Sequence, residues 1–220
     1  MRRLPWGRRI AAVASLGDEN RRRLFGFIAS SSSPVGRDEA AAALEIPRST
    51  ASFHLDRMVQ DGVLAVEFRK LGGKTGPGSG RPAKMYRPAQ PEVAASVPDR
   101  NYDLAGELMA TAIEQSSAAG EPVRDILLAT SYAKGLAMAE GSRSLEEFLS
   151  AEGYMPRPDG AGGLALENCP FHRLADGHAD VVCAMNGAFL CGAAAGCGVE
   201  ESRIAGNAAP GQCCARVTPP

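Results

Sequence analysis

The feature that most constrains this chain is a change of apolar period at Gly62. Upstream of it the spacing is helical. Ile10, Val13, Ala14 and Leu16 share one face, and Leu24, Phe25, Phe27 and Ile28 continue it, so residues 8–32 are predicted to form one or two helices, with Asp18 as an N-cap. Ser30 to Pro34 breaks the pattern. Arg37–Leu44 reads as a short helix with Asp38 and Glu39 in its first turn, where carboxylates suit the positive helix end. Glu45-Ile46-Pro47 reads as a turn, and Ser49 is expected to cap a third helix over Thr50–Asp61. Phe53, Met58 and Leu55 are predicted inward, and Gly62 stands at the position after the helix. Downstream the period becomes two. Val63–Phe68 alternates as a strand, Leu71–Pro82 is a glycine-rich basic loop, and Lys84–Pro88 returns as a second strand.

Three helices followed by a basic hairpin make a winged helix-turn-helix. In that arrangement the second motif helix enters the major groove of double-stranded DNA, and the wing touches phosphate. Arg48, Ser49, Thr50, Ser52 and His54 are expected on its solvent side, with Arg57 further toward the DNA backbone. The wing supplies Arg69, Lys70, Lys74, Arg81 and Lys84. About five phosphate contacts of this kind give binding that weakens steeply with salt. The net charge of −1 hides this module. Residues 1–90 carry 16 Lys and Arg against 8 Asp and Glu, whereas residues 91–220 carry 8 against 17. A basic half joined to an acidic half fits a polyanion-binding module attached to something else.

Three stretches make a resemblance specific. They are Leu16-Gly-Asp-Glu-Asn-Arg-Arg-Arg-Leu24, Arg48-Ser-Thr-Ala-Ser-Phe-His-Leu-Asp-Arg-Met-Val-Gln-Asp-Gly-Val-Leu64, and Gly80-Arg-Pro-Ala-Lys-Met-Tyr86. In this order, over about residues 10–90, they resemble the ArsR/DeoR-like winged-helix repressors, and within them the branch whose wing ends in GRPAK-x-Y. The resemblance implies a homodimer on a palindromic operator, with residues 102–117 as a dimer helix.

The second half reads differently. Residues 89–100 look like a linker, Tyr102–Ser117 and Val123–Gly141 like two helices, and Leu145–Glu152 like a third. A hairpin brackets Pro156–Gly163, a strand follows from Leu164, a helix covers Ala179–Gly196, and a last strand includes Cys213–Val217. All six cysteines fall in the last 52 residues. The N-terminal apolar stretch is too short for secretion and no run of about 18 apolar residues is evident, so a cytoplasmic protein without a membrane span is expected. In a reducing compartment, clustered cysteines point to metal, cluster or redox chemistry.

Thiolates suit iron–sulfur clusters and zinc because soft anionic sulfur suits those metals. Cys169, Cys183 and Cys213 lie on three separate elements that can converge, with His172, His178 or Cys214 as a fourth ligand. No CxxC pair is present, which excludes a zinc ribbon. Cys183 and Cys197 stand ~21 Å apart along a continuous helix and cannot share a ligand sphere. Cys191 and Cys197 read as small core residues. A nucleophile–base pair of Cys169 and His172 lacks identifiable oxyanion donors, so an enzyme is not expected. The pattern CPF…C…CC after a GRPAK-x-Y wing resembles SufR-type iron–sulfur-responsive repressors, matching Cys169, Cys183 and the Cys213/Cys214 pair.

The expected fold is α+β. A winged helix-turn-helix DNA-binding domain occupies residues 1–90, a linker and dimerisation helices 91–142, and a small α/β cysteine-rich sensor domain 143–220. The expected function is a DNA-binding transcriptional regulator, a repressor, in which an iron–sulfur cluster controls operator binding. Sensing of zinc, thiol oxidation or a small molecule is the alternative.

Overall fold

In the computed structural model, which describes residues 4–69, 82–207 and 213–220, helix α1 covers Trp6–Ser15 and α2 covers Glu19–Ser30. Asp18 is the N-cap of α2, its carboxylate accepting from the Arg21 amide at 3.0 Å. Strand β1 (Val35–Gly36) leads into α3 (Arg37–Leu44), and α4 (Arg48–Gln60) follows after a left-handed turn at Glu45. Gly62 has φ +80°, the conformation that ends α4 at the expected residue. Strands β2 (Leu64–Arg69) and β3 (Ala83–Pro88) pair antiparallel from Leu64↔Pro88 to Arg69↔Ala83, and β1 adds to β3 in the order β1-β3-β2. Leu24, Ile28, Leu55, Met58 and Tyr86 form the core of this unit.

Three local expectations are corrected here. In α4 the residues that turn inward are Ala51, His54, Leu55 and Met58, at the i, i+3, i+4, i+7 spacing of one helix face. Phe53 therefore points outward and is 67% exposed, while His54, expected on the solvent side, is buried. Helix α4 starts at Arg48 after Pro47, so Ser49 lies inside the first turn and does not cap it. In α1 the buried residues are Arg9, Ala12 and Ser15, and Val13 is exposed. The Arg9 guanidinium bonds to the Leu4 and Ala94 carbonyls at 3.0 and 3.3 Å, which holds its stem inside.

The chain divides into compact units at Ala95/Ser96. In the second unit, α5 (Tyr102–Ala119) and α6 (Val123–Ala139) share one core with α7 (Leu145–Ala151) and α9 (Ala179–Gly196). The helices expected to serve dimerisation pack within the same unit as the cysteines. Ser144 caps α7, accepting from the Glu147 amide at 3.1 Å. A four-stranded antiparallel sheet runs β4 (Pro156–Pro158), β5 (Leu164–Leu166), β7 (Ala215–Val217) and β6 (Ile204–Gly206). A short helix α8 (His172–Ala175) and a 3-10 turn (Glu201–Arg203) complete it.

Helices α6 and α9 approach unusually closely because each sets a glycine against the other's backbone. A Cβ on Gly135 would collide with the Phe189 carbonyl oxygen, and one on Gly192 with that of Tyr132. Against the expectation that no apolar stretch is long enough, α9 is long and apolar enough by composition to cross a membrane, with mean hydropathy 1.4. Its Met185, Phe189, Leu190 and Ala193 are instead buried in the core of this unit.

Candidate DNA interface and cysteine centre

The outward face of α4 carries Arg48, Ser49, Phe53, Arg57 and Gln60 exposed, with Thr50 and Ser52 half-buried. The sequence-predicted residues Arg48, Ser49, Thr50, Ser52 and Arg57 lie on this accessible side, and His54 does not. The His54 Nδ1 has no hydrogen-bond partner and stands 3.8 Å from the Asp18 carboxylate. Its ring packs edge-on against Phe53, with centroids 5.3 Å apart. Lys70, Lys74 and Arg81 lie outside the described residues.

Several of the cations are held by carboxylates of the same unit. Arg48 pairs with Asp38, Arg57 with Asp61 at 3.0 Å, and Arg69 with Glu67. Lys84 pairs with Asp56 of α4 and lies over the Tyr86 ring at 5.2 Å, while the Tyr86 hydroxyl donates to Asp56 at 3.0 Å. This cluster ties the base of the wing to α4. Burial raises the Asp56 pKa, but hydrogen bonds from Lys84 and Tyr86 outweigh it and leave the carboxyl below its ordinary value. Lys84 is correspondingly raised, its bond to Asp56 outweighing desolvation. An Arg37 guanidinium nitrogen stands 3.4 Å from the Ser52 hydroxyl. Between α3, the start of α4 and the wing lies a cavity of about 730 Å³, whose lining includes Arg37, Arg48, Phe68 and Lys84. Exposed cations around hydrogen-bonding side chains on one helix face form a surface suited to a polyanion whose bases present edges in a groove.

The second unit concentrates its chemistry inside. Cys169 ends the segment after β5, Cys183 sits in the second turn of α9, and Cys213-Cys214 precede β7. These four thiols are brought together. Cys169 and Cys213, Cys213 and Cys214, and Cys214 and Cys183 lie near enough to shift one another's thiol pKa. The alternation expected for the last strand holds: Cys213, Ala215 and Val217 are buried, and Arg216 is exposed. Cys214 is half-buried, yet its thiol still reaches the same cluster.

Asn186, one turn after Cys183 on α9, sits at the centre and is 0% exposed. Its Nδ2 lies 3.3 Å from the Cys213 sulfur and 3.6 Å from that of Cys214. The buried Tyr154 hydroxyl donates to Asn186 Oδ1 at 2.6 Å and so sets which end of the amide faces the sulfurs. Asn186 and Tyr154 are the participants that sequence reading missed. An asparagine in an otherwise apolar helix was the signal available for the first.

Hydrogen bonding from Cys213 lowers the Cys169 thiol, against its burial. Cys183 is pushed up to about 11 by burial and by Cys214, and Cys213 to about 11 chiefly by Cys169. Cys214 is raised most, chiefly by Cys213. Packed thiols resist ionising together because each thiolate repels the next, and a cation at the centre removes that penalty. His172 is exposed at the start of α8, and His178 is also exposed; neither is among the groups that shift these thiols. Cys191 on the far part of α9 and Cys197 just after its end lie away from the four, and burial raises both. The four thiols influence one another in series. Among the described residues, no three of His, Cys, Asp and Glu surround a single point as ligands of one ion.

The polar support behind Cys169 is also built. The Asn168 amide donates to the Asp99 and Gly153 carbonyls at 2.8 and 2.6 Å, and Arg100 donates to the Cys169 carbonyl at 3.1 Å. These contacts fix the backbone that presents the thiol.

Neither a curated protein nor a solved structure matches the chain. The family model of a helix-turn-helix domain matches residues 16–67, from the end of α1 into β2. That segment contains α2, α3 and α4, whose outward face was described above. By both geometry and family match, residues 16–67 of the N-terminal unit form a helix-turn-helix domain, a domain type that suggests a DNA-binding regulator.

Proposed function

We propose that this protein is a transcriptional repressor that binds a palindromic operator as a homodimer, and that its C-terminal unit holds an iron–sulfur cluster which controls that binding. The observation that supports the cluster reading is that Cys169, Cys183, Cys213 and Cys214, from three separated stretches, shift one another's thiols, with the Asn186 amide on the Cys213 and Cys214 sulfurs. The donor set fits the group. It supplies soft sulfur in a largely buried site, with an N–H donor aimed at two of the sulfurs, and such bonds tune clusters. Cys169, Cys183, Cys213 and Cys214 would be the ligands, with Cys214 in place of His172 as the fourth.

A bound cluster supplies a reversible, oxygen-sensitive tie between these elements. Losing that tie would shift the balance between two states of the dimer, and operator affinity would change if those states bind DNA unequally. The protein's own part is to keep the thiols adjacent, orient Asn186 through Tyr154, and hold Cys169 by its backbone.

A second reading is favoured by the sulfur contacts themselves. Cys169 with Cys213, or Cys183 with Cys214, could close a disulfide, losing two protons and passing two electrons to a peroxide or disulfide oxidant.

The test is purification without oxygen, followed by the visible spectrum, iron and acid-labile sulfide content, and operator affinity. The cluster reading expects a coloured protein, loss of iron in Cys213→Ser, and full iron in His172→Ala. A colourless, iron-free preparation that binds its operator fully sinks the cluster and leaves the DNA-binding role intact. If that preparation loses affinity on peroxide treatment and regains it with dithiothreitol, the disulfide reading replaces it.

A further inference from the structure

We infer that Phe53 reads a thymine in each half-site through the base's 5-methyl group; this rests on the DNA-binding reading above. Phe53 is the residue of α4 that least suits a soluble surface. It is 67% exposed although Leu55 and Met58, two and five positions on, are fully buried. Along the same outward face lie Ser49 and Thr50, four and three residues before it, and Asp56, three after, while Ser52 is its immediate neighbour. Asp56 is engaged by Lys84 and Tyr86 of the wing, and Ser52 faces the Arg37 guanidinium. That leaves the aromatic ring as the large group at the middle of the face. The ring is also seated: it stands edge-on to the buried His54 ring at an interplanar angle of 74°.

Charge complementarity selects the occupant. The patch is flanked by the side chains of Arg48 and Arg57, 66% and 56% exposed, and belongs to the half of the chain with a twofold excess of cations. A partner that meets an apolar ring inside a cationic rim presents a methyl group among anions. In the major groove of duplex DNA only thymine does so, with its methyl flanked by phosphate. The serines beside the ring hydrogen-bond to base edges of either kind, so the ring supplies the discrimination that they lack.

The experiment uses the full-length protein. Duplexes are selected from a random library, and each thymine of the selected site is then replaced in turn by deoxyuridine, which deletes only the methyl. Wild type is expected to lose about fourfold in affinity per half-site at one symmetric position, the worth of one buried methyl. Phe53→Ala is expected to bind the thymine duplex more weakly by a similar factor, to be indifferent to uracil there, and to keep the wild-type salt dependence. A flat uracil scan in a wild-type protein that still selects a sequence overturns the inference alone. So does a Phe53→Ala variant that changes oligomeric state but not the uracil scan, since the ring then serves a protein contact. A wild-type protein that selects no duplex overturns the DNA-binding reading and this inference together.

Discussion

In α4 the polar and charged side chains other than His54 face outward over a core of Ala51, Leu55 and Met58, whereas in α9 the polar group that matters, Asn186, is fully buried and turned toward sulfur. The first helix keeps its hydrogen-bonding capacity available for a partner and satisfies its cations with nearby carboxylates. The second consumes its capacity inside the unit, on Tyr154, Cys213 and Cys214. A surface of the first kind is adjustable because water solvates whatever is removed. A centre of the second kind is not, because a buried polar group left unpaired keeps its full desolvation cost. The comparison makes graded predictions.

The largest effect is expected where two backbones meet. Gly192→Leu in α9 drives a side chain into the Tyr132 carbonyl and should cost about 3 kcal/mol or more in denaturant unfolding of the C-terminal unit. Its counterpart, Gly36→Ala in the N-terminal unit, meets the Met85 side chain at ordinary contact distances of 3.7 and 3.9 Å and should shift stability by less than about 0.5 kcal/mol. Equal effects at the two glycines would break the contrast.

Tyr154→Phe comes next. Deleting the hydroxyl leaves the buried Asn186 oxygen without its donor, for a loss of about 2 kcal/mol. Denaturant unfolding measures it, and a neutral result would mean that the amide can reorient, which would weaken the assignment of its donor end to the sulfurs.

Asp56→Asn is the smallest. Its ion pair with Lys84 is about half-exposed, so the expected cost is about 0.5 kcal/mol at pH 7. The folded-state pKa of Asp56 is lowered, so its contribution is present above the unfolded value of about 3.9 and fades as pH falls through the lower, folded one. The gap between wild type and variant should therefore close between pH 4 and the more acidic range in urea titrations. A gap that widens on acidification would contradict the pairing.

Much of the N-terminal unit was legible because its signals are local. Asp18 before α2, Gly62 after α4, and the change of period between them mark the boundaries through backbone geometry that neighbouring residues set. The phase of α4 was not legible: Phe53 is as apolar as Leu55, and its place outside follows from the packing of α2 and β2 on the opposite face. For the centre, cysteine spacing was enough to set Cys183 apart from Cys191 and Cys197, since a helix has a fixed rise. It was not enough to choose His172 or Cys214, because that depends on how the chain turns at α8 and on the register of β7.

What the sequence by itself determined is the list of parts: a basic helix-turn-helix with a hairpin after it, and an acidic half that keeps all six cysteines. Caps, turns and residue types act over a few positions, and so they can be read in order. What only the tertiary structure decided is which of those parts meet. The series Cys169, Cys213, Cys214 and Cys183 spans 46 residues, and its stretches are brought near by the strand order β5-β7 and by Asn186, which Tyr154 orients toward Cys213 and Cys214. Contacts at that separation are made by packing, which no local pattern encodes.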